Sequence, residues 1–407
     1  DSFSGIFRLG TGAFLFEQIF LMATILIKNV QLLDGIGRPA VKSDVLIKND
    51  KISAIGNFPN YKADEIIDAM GAYLAPGFID VNNEGDHSLE IFSNDYQENI
   101  LKQGITSVIG GHGGFSLAPL LYGSLEAIRP WADIRKINVN WHTLAEFLKT
   151  FTTRKLGVNF GTFLGHTTVR FDIIHDAHKL IFRDLTPNES AVLNFVMGEN
   201  LNPPAGGGAF GISVGLDHPL VSEASYFEIK KMAELAVKAG ALLSYNLKDN
   251  KEGIVDSVKK AIFLVKETGV KILINNFKSS LEAFNLIEEN SSNADICFCV
   301  NLDDDYSGES AKILQSDKAL ISSGGFGKFL ELVGKDKIMT IEEAVKKITS
   351  LPATKLKLNK RGIVREGYFA DLVLFRDAEI SDVIINGKRI IKEGKFQNIL
   401  AGEALVK

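Results

Sequence analysis

The sequence predicts an α/β protein: a TIM-like (β/α)8 barrel carrying a small β-sandwich built from both ends of the chain. Three observations point there. From residue 77 to about residue 350, short apolar runs alternate with helical patterns, which is how parallel βαβ units read. Eight such units in roughly 270 residues match the size of a closed barrel. Short strands with polar and glycine turns occupy residues 24–56 and again 370–391. Neither terminal block has enough strands to enclose a core, and together they do. A doubly wound open sheet is the alternative, but eight evenly spaced units close more naturally.

The eight predicted barrel strands are Phe78–Val81, Ile105–Ile109, Val158–Leu164, Ala209–Val214, Ala241–Tyr245, Lys271–Ile274, Asp295–Val300 and Ala319–Ser322. Helical periodicity separates most of them, over 141–151, 186–197, 223–238, 254–267, 281–288 and 311–314. The expected organisation is a composite sandwich of residues 22–73 and 361–407 around a barrel of residues 74–360. Residues 1–21 fit neither part. The run Phe14–Leu21 is apolar but short, and Glu17 interrupts it. It lacks a cationic start and a small-residue cleavage site, and it is too short to span a bilayer. It reads as a leader or upstream sequence ahead of Met22.

Composition narrows the function classes. The 407 residues are 45% hydrophobic and 23% charged, an ordinary globular balance. A net charge of −5 gives no basis for a nucleic-acid or anionic-membrane partner. The two cysteines, Cys297 and Cys299, are two apart in one strand, so they share a face and read as small core residues. No disulfide framework is possible from such a pair, and a cytoplasmic compartment follows. No GxGxxG or P-loop occurs, and Gly206-Gly207-Gly208 precedes a strand, not a helix. Gly-x-Ser-x-Gly is absent too.

A barrel places its chemistry at the C-terminal ends of its strands. Those positions hold Asn82, Glu84, Asp86 and His87 after strand 1, and His112 in a glycine-rich loop after strand 2. Strand 3 ends in Gly165-His166-Thr167-Thr168-Val169-Arg170, strand 5 in Asn246 and strand 6 in Asn275-Asn276. His166 and Arg170 read equally well as a carboxylate-binding pair or as a structural loop tie. His175 and His178 read as exposed, and Asp303-Asp304-Asp305 as a solvated loop.

Several ordered phrases carry a resemblance. They are Ala75-Pro76-Gly77-Phe78-Ile79-Asp80-Val81, then Gln103–Val108 running into Gly114-Phe115-Ser116-Leu117-Ala118-Pro119, then the His166 phrase, Gly208–Leu216 and Gly367–Val373. Together they resemble the amidohydrolase superfamily, and particularly the N-acyl-D-amino-acid deacylases, or D-aminoacylases, from about residue 24 to residue 396. The resemblance implies a barrel with a split β-sandwich, hydrolysis of non-peptide C–N bonds, and zinc. It also implies where the metal ligands fall. The two strand-1 histidines fall on Asn82 and Glu84, the bridging cysteine on Gly113, and the later histidines on Asn246 and Asn276. The aspartate that is both ligand and catalytic base falls on Gly324. Every one is substituted, and the loop between strands 6 and 7 is shorter than in the family.

Zinc takes thiolate, imidazole or carboxylate ligands, three or four together. Asn is a feeble ligand and Gly offers none. Without the metal, bound water keeps its high pKa and the amide carbonyl is not polarised. Without a group at Gly324, proton transfer lacks its agent. The expectation is therefore a D-aminoacylase-like protein with a degenerate zinc centre and little or no activity. Two alternatives stand beside it. One is an active C–N hydrolase with a metal site rebuilt from Glu84, Asp86 and His112. The other is a non-catalytic barrel binding a small molecule, such as an N-acyl amino acid or amide, or a partner. The expected pocket residues are Asn82, Glu84, Asp86, His112, His166, Arg170, Asn246 and Asn276.

Overall fold

The computed structural model describes residues 23–174, 183–204, 206–217, 224–247, 253–304, 306, 308–321 and 325–407. The predicted leader, His175, His178, Asp305 and Gly324 lie outside the described residues.

The described residues open with five strands: β1 (Thr24–Leu32), β2 (Val41–Lys48), β3 (Lys51–Gly56), β4 (Glu65–Asp68) and β5 (Tyr73–Pro76). Nine strand segments then build the barrel. They are β6 (Phe78–Asp80), β7 (Ile105–Gly110), β8 (Asn159–Thr162), β9 (Leu164–Gly165), β10 (Gly211–Gly215), β11 (Leu242–Asn246), β12 (Lys271–Phe277), β13 (Ile296–Val300) and β14 (Ala319–Ile321). Four more follow: β15 (Leu372–Arg376), β16 (Glu379–Ile385), β17 (Lys388–Lys392) and β18 (Lys395–Phe396).

The two ends of the chain share one nine-stranded sheet, in the order β18-β17-β16-β15-β5-β1-β2-β3, with β4 added on β1. The contact between the ends is β5 against β15, where Leu74 pairs with Leu374. One face buries Ile25, Ile27, Val45, Ile47, Leu74, Leu372 and Ile384 in a core of their own. β4 and β5 escape the sequence reading for a simple reason. They are four residues each, and β5 ends in Pro76, which reads as a turn.

The barrel strands run parallel in sequence order. β6-β7-β8 form one ladder and β9 to β14 another. β8 and β9 are the two halves of predicted strand 3. They part at Phe163, whose N–H bonds the Gly110 carbonyl at 3.0 Å. Gly111 must be glycine beside that break, since a Cβ there would lie 2.2 Å from the Phe163 carbonyl oxygen and its φ is +77°. Ile79, Val81, Ile109, Phe163, Leu242, Leu273, Cys297, Cys299 and Leu320 fill the lumen. The two cysteines are buried and unbridged, on one face as the spacing predicts. Burial pushes the Cys297 thiol up to about 12. Helices surround the strands, several begun by capping boxes, as at Thr143 with Glu146 and Thr186 with Glu189. The helix His166–Ile174 lies where a loop is predicted. Among the described residues, no helix is long and apolar enough to cross a membrane.

Sheet and barrel meet in a buried polar junction. Arg361 pairs with Asp371, and both are at most 6% exposed. Asp371 also accepts the Asn386 N–H at 2.8 Å and the Asn159 side-chain amide at 3.1 Å. Asn159 belongs to barrel strand β8. Its Oδ1 accepts from the Asn386 amide at 2.9 Å and from the Glu403 N–H at 3.0 Å. The C-terminal segment thereby lies along β8, with the Leu405 N–H on the Phe160 carbonyl at 2.7 Å.

Two outcomes are expected. Asp371→Ala leaves buried Arg361 with only the more distant carboxylate of Glu403, 3.6 Å away, and costs about 3–5 kcal/mol, read as a lower urea midpoint at unchanged slope. Removing residues 361–407 uncovers the edge of β5 and the apolar face beneath it, and yields aggregates by light scattering. A soluble, cooperatively folding truncation would refute the shared sheet.

Candidate functional site at the barrel mouth

The sequence places polar residues at the strand ends, and the barrel gathers some of them. On β11, Leu242 faces the lumen, so two-residue periodicity turns Ser244 and Asn246 the same way. On β12, Leu273 faces the lumen and brings Asn275 with it. These residues form a chain of hydrogen bonds across the strand ends. Asn246 donates to Asp217 at 3.2 Å and accepts from Asn275 at 3.2 Å. Asn275 donates to the Ser244 hydroxyl as well. His112 Nδ1 lies 3.0 Å from that hydroxyl, and Nε2 lies 3.0 Å from the Ile109 carbonyl. A carbonyl can only accept, so Nε2 carries the proton and Nδ1 accepts from Ser244. Asn82 joins through its side-chain amide, 3.4 Å from the Asn275 carbonyl. Gly113 faces the same space, where a Cβ would stand 3.7 Å from the Asn246 amide.

Asn276 turns away from this group. It accepts from the Leu247 N–H at 2.7 Å and donates to the Leu247 carbonyl at 2.9 Å, bracing the end of β11. Asn275, its neighbour, is the inward residue. Counting by two from Leu273 is the signal that identifies it. Ser244 is legible by the same count from Leu242.

Glu84, Asp86 and His112 have separate surroundings. Glu84 is exposed. Asp86 is 1% exposed and accepts from the Gly111 N–H at 2.7 Å and the His87 N–H at 3.0 Å. Gly110 and Gly111 let the backbone approach this carboxylate, since a Cβ on Gly110 would sit 2.7 Å from its oxygen. Burial raises the Asp86 pKa, against the opposing pull of His87 and these N–H donors. His112 is 2% exposed and has both ring nitrogens engaged. Among the described residues, no three His, Cys, Asp or Glu side chains gather as a metal site would require.

His166 and Arg170 meet a carboxylate, and it is the chain's own. His166 Nε2 lies 2.7 Å and Arg170 Nε 2.8 Å from the same oxygen of Glu228. All three side chains are buried. Burial opposes ionisation of Glu228, but the His166 bond and the charges of His166 and Arg170 hold its pKa below the ordinary value. This is the loop-tie reading, with the helix His166–Ile174 fastened to the first turn of the helix Tyr226–Lys238. Glu228 carries no signal of its own in the sequence, since it stands inside the helical pattern over 223–238 and its partners lie about 60 residues earlier.

Burial, helped by the charge of His87, lowers the His112 pKa to about 3. The unfolded chain therefore binds a proton at this residue between about pH 6.5 and pH 3, while the native state does not. The contribution of His112 to stability is complete above pH 6.5. It is lost as pH falls, at up to roughly 1.4 kcal/mol per pH unit. Urea midpoints measured from pH 7 to pH 4 should fall less steeply for His112→Asn than for the parent.

No protein-family model matches the chain. An N-acyl-D-aspartate deacylase of Alcaligenes xylosoxydans xylosoxydans is 26% identical, over 88% of this chain and 87% of that protein. A D-aminoacylase of the same organism is 25% identical, over 94% and 97%. Among solved structures, a D-aminoacylase described for its binuclear metal centre superposes with a TM-score of 0.83 at 22% identity, covering 94% of this chain and 99% of that one. The N-acyl-D-glutamate deacylase of Bordetella bronchiseptica, solved with zinc and a phosphonate inhibitor, gives 0.81 at 19% identity, over 95% and 100%. In sequence along most of its length and in fold over nearly all of it, this chain resembles the D-aminoacylases of the amidohydrolase superfamily.

Proposed function

We propose that this chain is a D-aminoacylase-like barrel that binds a small N-acyl amino acid or related amide at its mouth, with little or no zinc-dependent hydrolysis. The observation that carries the reading is Asn275. Its amide nitrogen donates to Ser244 and Asn246, while its Oδ1 is buried with no hydrogen-bond partner. A buried acceptor left unmet costs about 1–3 kcal/mol, and an N–H from a bound amide would meet it. The donor set supports the second half of the proposal. The relatives' metal chemistry calls for imidazole, thiolate and carboxylate at this level of the barrel, and the inward positions here carry Asn82, Gly113, Asn246 and Asn275. These groups do not fit zinc, so no catalytic step is assigned through a metal.

Three measurements test this. Elemental analysis of protein purified without chelator should find less than one zinc per chain. N-acetyl-D-amino acids should not be hydrolysed, with or without added zinc, cobalt or manganese. The same compounds should raise the melting temperature, since a ligand held at 100 times its Kd stabilises the native state by about 2.7 kcal/mol. Asn275→Leu should abolish that rise. Stoichiometric metal, with deacylase activity lost in both Glu84→Gln and His112→Ala, would refute the proposal in favour of a rebuilt metal site.

A further inference from the structure

A second site lies far from the barrel mouth, on the sheet shared by the chain ends. Among the described residues, β4 pairs with β1 and with no other strand. The Ala69 N–H bonds the Lys28 carbonyl at 2.9 Å, so odd-numbered residues point their backbone groups at β1. In a parallel strand, alternate residues address opposite neighbours. Ile66 and Asp68 therefore direct N–H and C=O to the outer edge. A cleft of about 700 Å³ runs along that edge, closed on its far side by the turns that join β15 to β16 and β17 to β18. Four residues of extended chain, at about 3.3 Å each in a slot roughly 4.8 Å by 10 Å, occupy about 630 Å³. The cleft has room for one short strand.

Its surface combines an open strand edge with exposed apolar side chains and acidic groups. Such edges are blunted by brevity, charge, lysine, proline or a bulge. β4 is short and carries Glu65 and Asp68, but it has no lysine, proline or bulge, and Ile66 and Met70 stand 54% and 77% exposed beside the cleft. The charge is one-sided. Five carboxylates line the cleft (Asp68, Asp377, Glu379, Asp382, Glu393) against two guanidinium groups (Arg376, Arg389). Arg389 and Asp382 are paired with each other, and Arg389 with Glu65 as well, which leaves Asp68, Asp377, Glu379 and Glu393 against Arg376. Arg376 donates to the Met70 carbonyl at 2.8 Å, and both residues line the cleft.

We propose that this cleft docks one extended, lysine- or arginine-bearing segment of a partner protein, which adds to β4 as a further strand. Backbone bonds to Ile66 and Asp68 hold it, Ile66 and Met70 take its apolar side chains, and the acidic rim selects its charge. The proposal is independent of what the barrel mouth binds.

The test uses the full chain and a fluorescein-labelled hexapeptide of alternating Lys and Val. Anisotropy should show saturable binding of one peptide per chain, weaker at about 300 mM than at about 50 mM salt. The matching Glu and Val peptide should not bind. Ile66→Pro removes the outward N–H at an exposed edge position, where proline is tolerated. It should weaken binding at least tenfold at an unchanged melting temperature. Asp377→Lys combined with Glu379→Lys should weaken it to a similar degree, and this pair decides the matter if the proline variant fails to fold. Absence of binding, equal affinity for the acidic peptide, or unchanged affinity in the variants would overturn the proposal. So would a concentration-dependent dimer of the parent that Ile66→Pro abolishes, because the occupant would then be a second copy of this chain.

Discussion

The ion pair between Arg361 and Asp371 is the constraint on which the rest of the architecture leans. Two charges removed from water are stable only if every remaining hydrogen-bonding position is filled. Here Asn386 and Asn159 fill those of Asp371, and the Phe369 ring lies against the Arg361 guanidinium, 3.9 Å from its centre. The partners come from the C-terminal strands, barrel strand β8 and the final segment. Meeting all of them at once admits one placement of sheet on barrel. That placement matters because β5 passes through Gly77 directly into β6. Gly77 is required there, since a Cβ would lie 2.2 Å from Thr106. The sheet thus sets the angle at which β6 enters the barrel, and β6 leads into the loop from Asn82 to His87.

At the barrel mouth the same principle acts on mostly neutral groups, with the one carboxylate, Asp217, at the exposed end. His112, Ser244, Asn275, Asn246 and Asp217 form one chain in which the Asn275 amide donates both ways, through Ser244 to His112 and through Asn246 to Asp217. Such a chain suits a lumen of low dielectric because it carries little charge to desolvate. His112 shows the effect most clearly, being neutral throughout the ordinary pH range. Charges at this end of the barrel are handled differently. Asp86 is wrapped in backbone N–H groups, and Glu228 is shared by His166 and Arg170. Both serve to hold loops at the positions from which the mouth is assembled.

Much of this was legible in the residues. The parallel strands, their order and the pairing of the chain ends follow from periodicity and turn chemistry. The strand ends also point to Asn82, His112 and Asn246, which the structure brings together. The exceptions have physical causes. β4 and β5 are too short to show a period, and their strand character comes from the neighbours they pair with. The helix His166–Ile174 buries seven of its nine residues, so it has no polar face to mark it. Asp86 reads as a possible ligand because an isolated acidic residue near a histidine resembles one. Only the backbone of Gly111, 25 residues later, shows what it binds.

By itself, the sequence determined the barrel, its strand count, the split sheet and the resemblance to the D-aminoacylases, because each rests on local periodicity or contiguous phrases. It also determined which residue types stand at the strand ends. Tertiary structure alone decided which of these side chains share a space. One residue of register separates Asn275 in the lumen from Asn276 against Leu247, because successive side chains on a strand face opposite ways. It also decided that Arg170 is matched to Glu228, 58 residues away, and that β4 keeps one edge open among the described residues. Hydrogen bonds and strand edges are satisfied by groups near in space, and no window of sequence contains them.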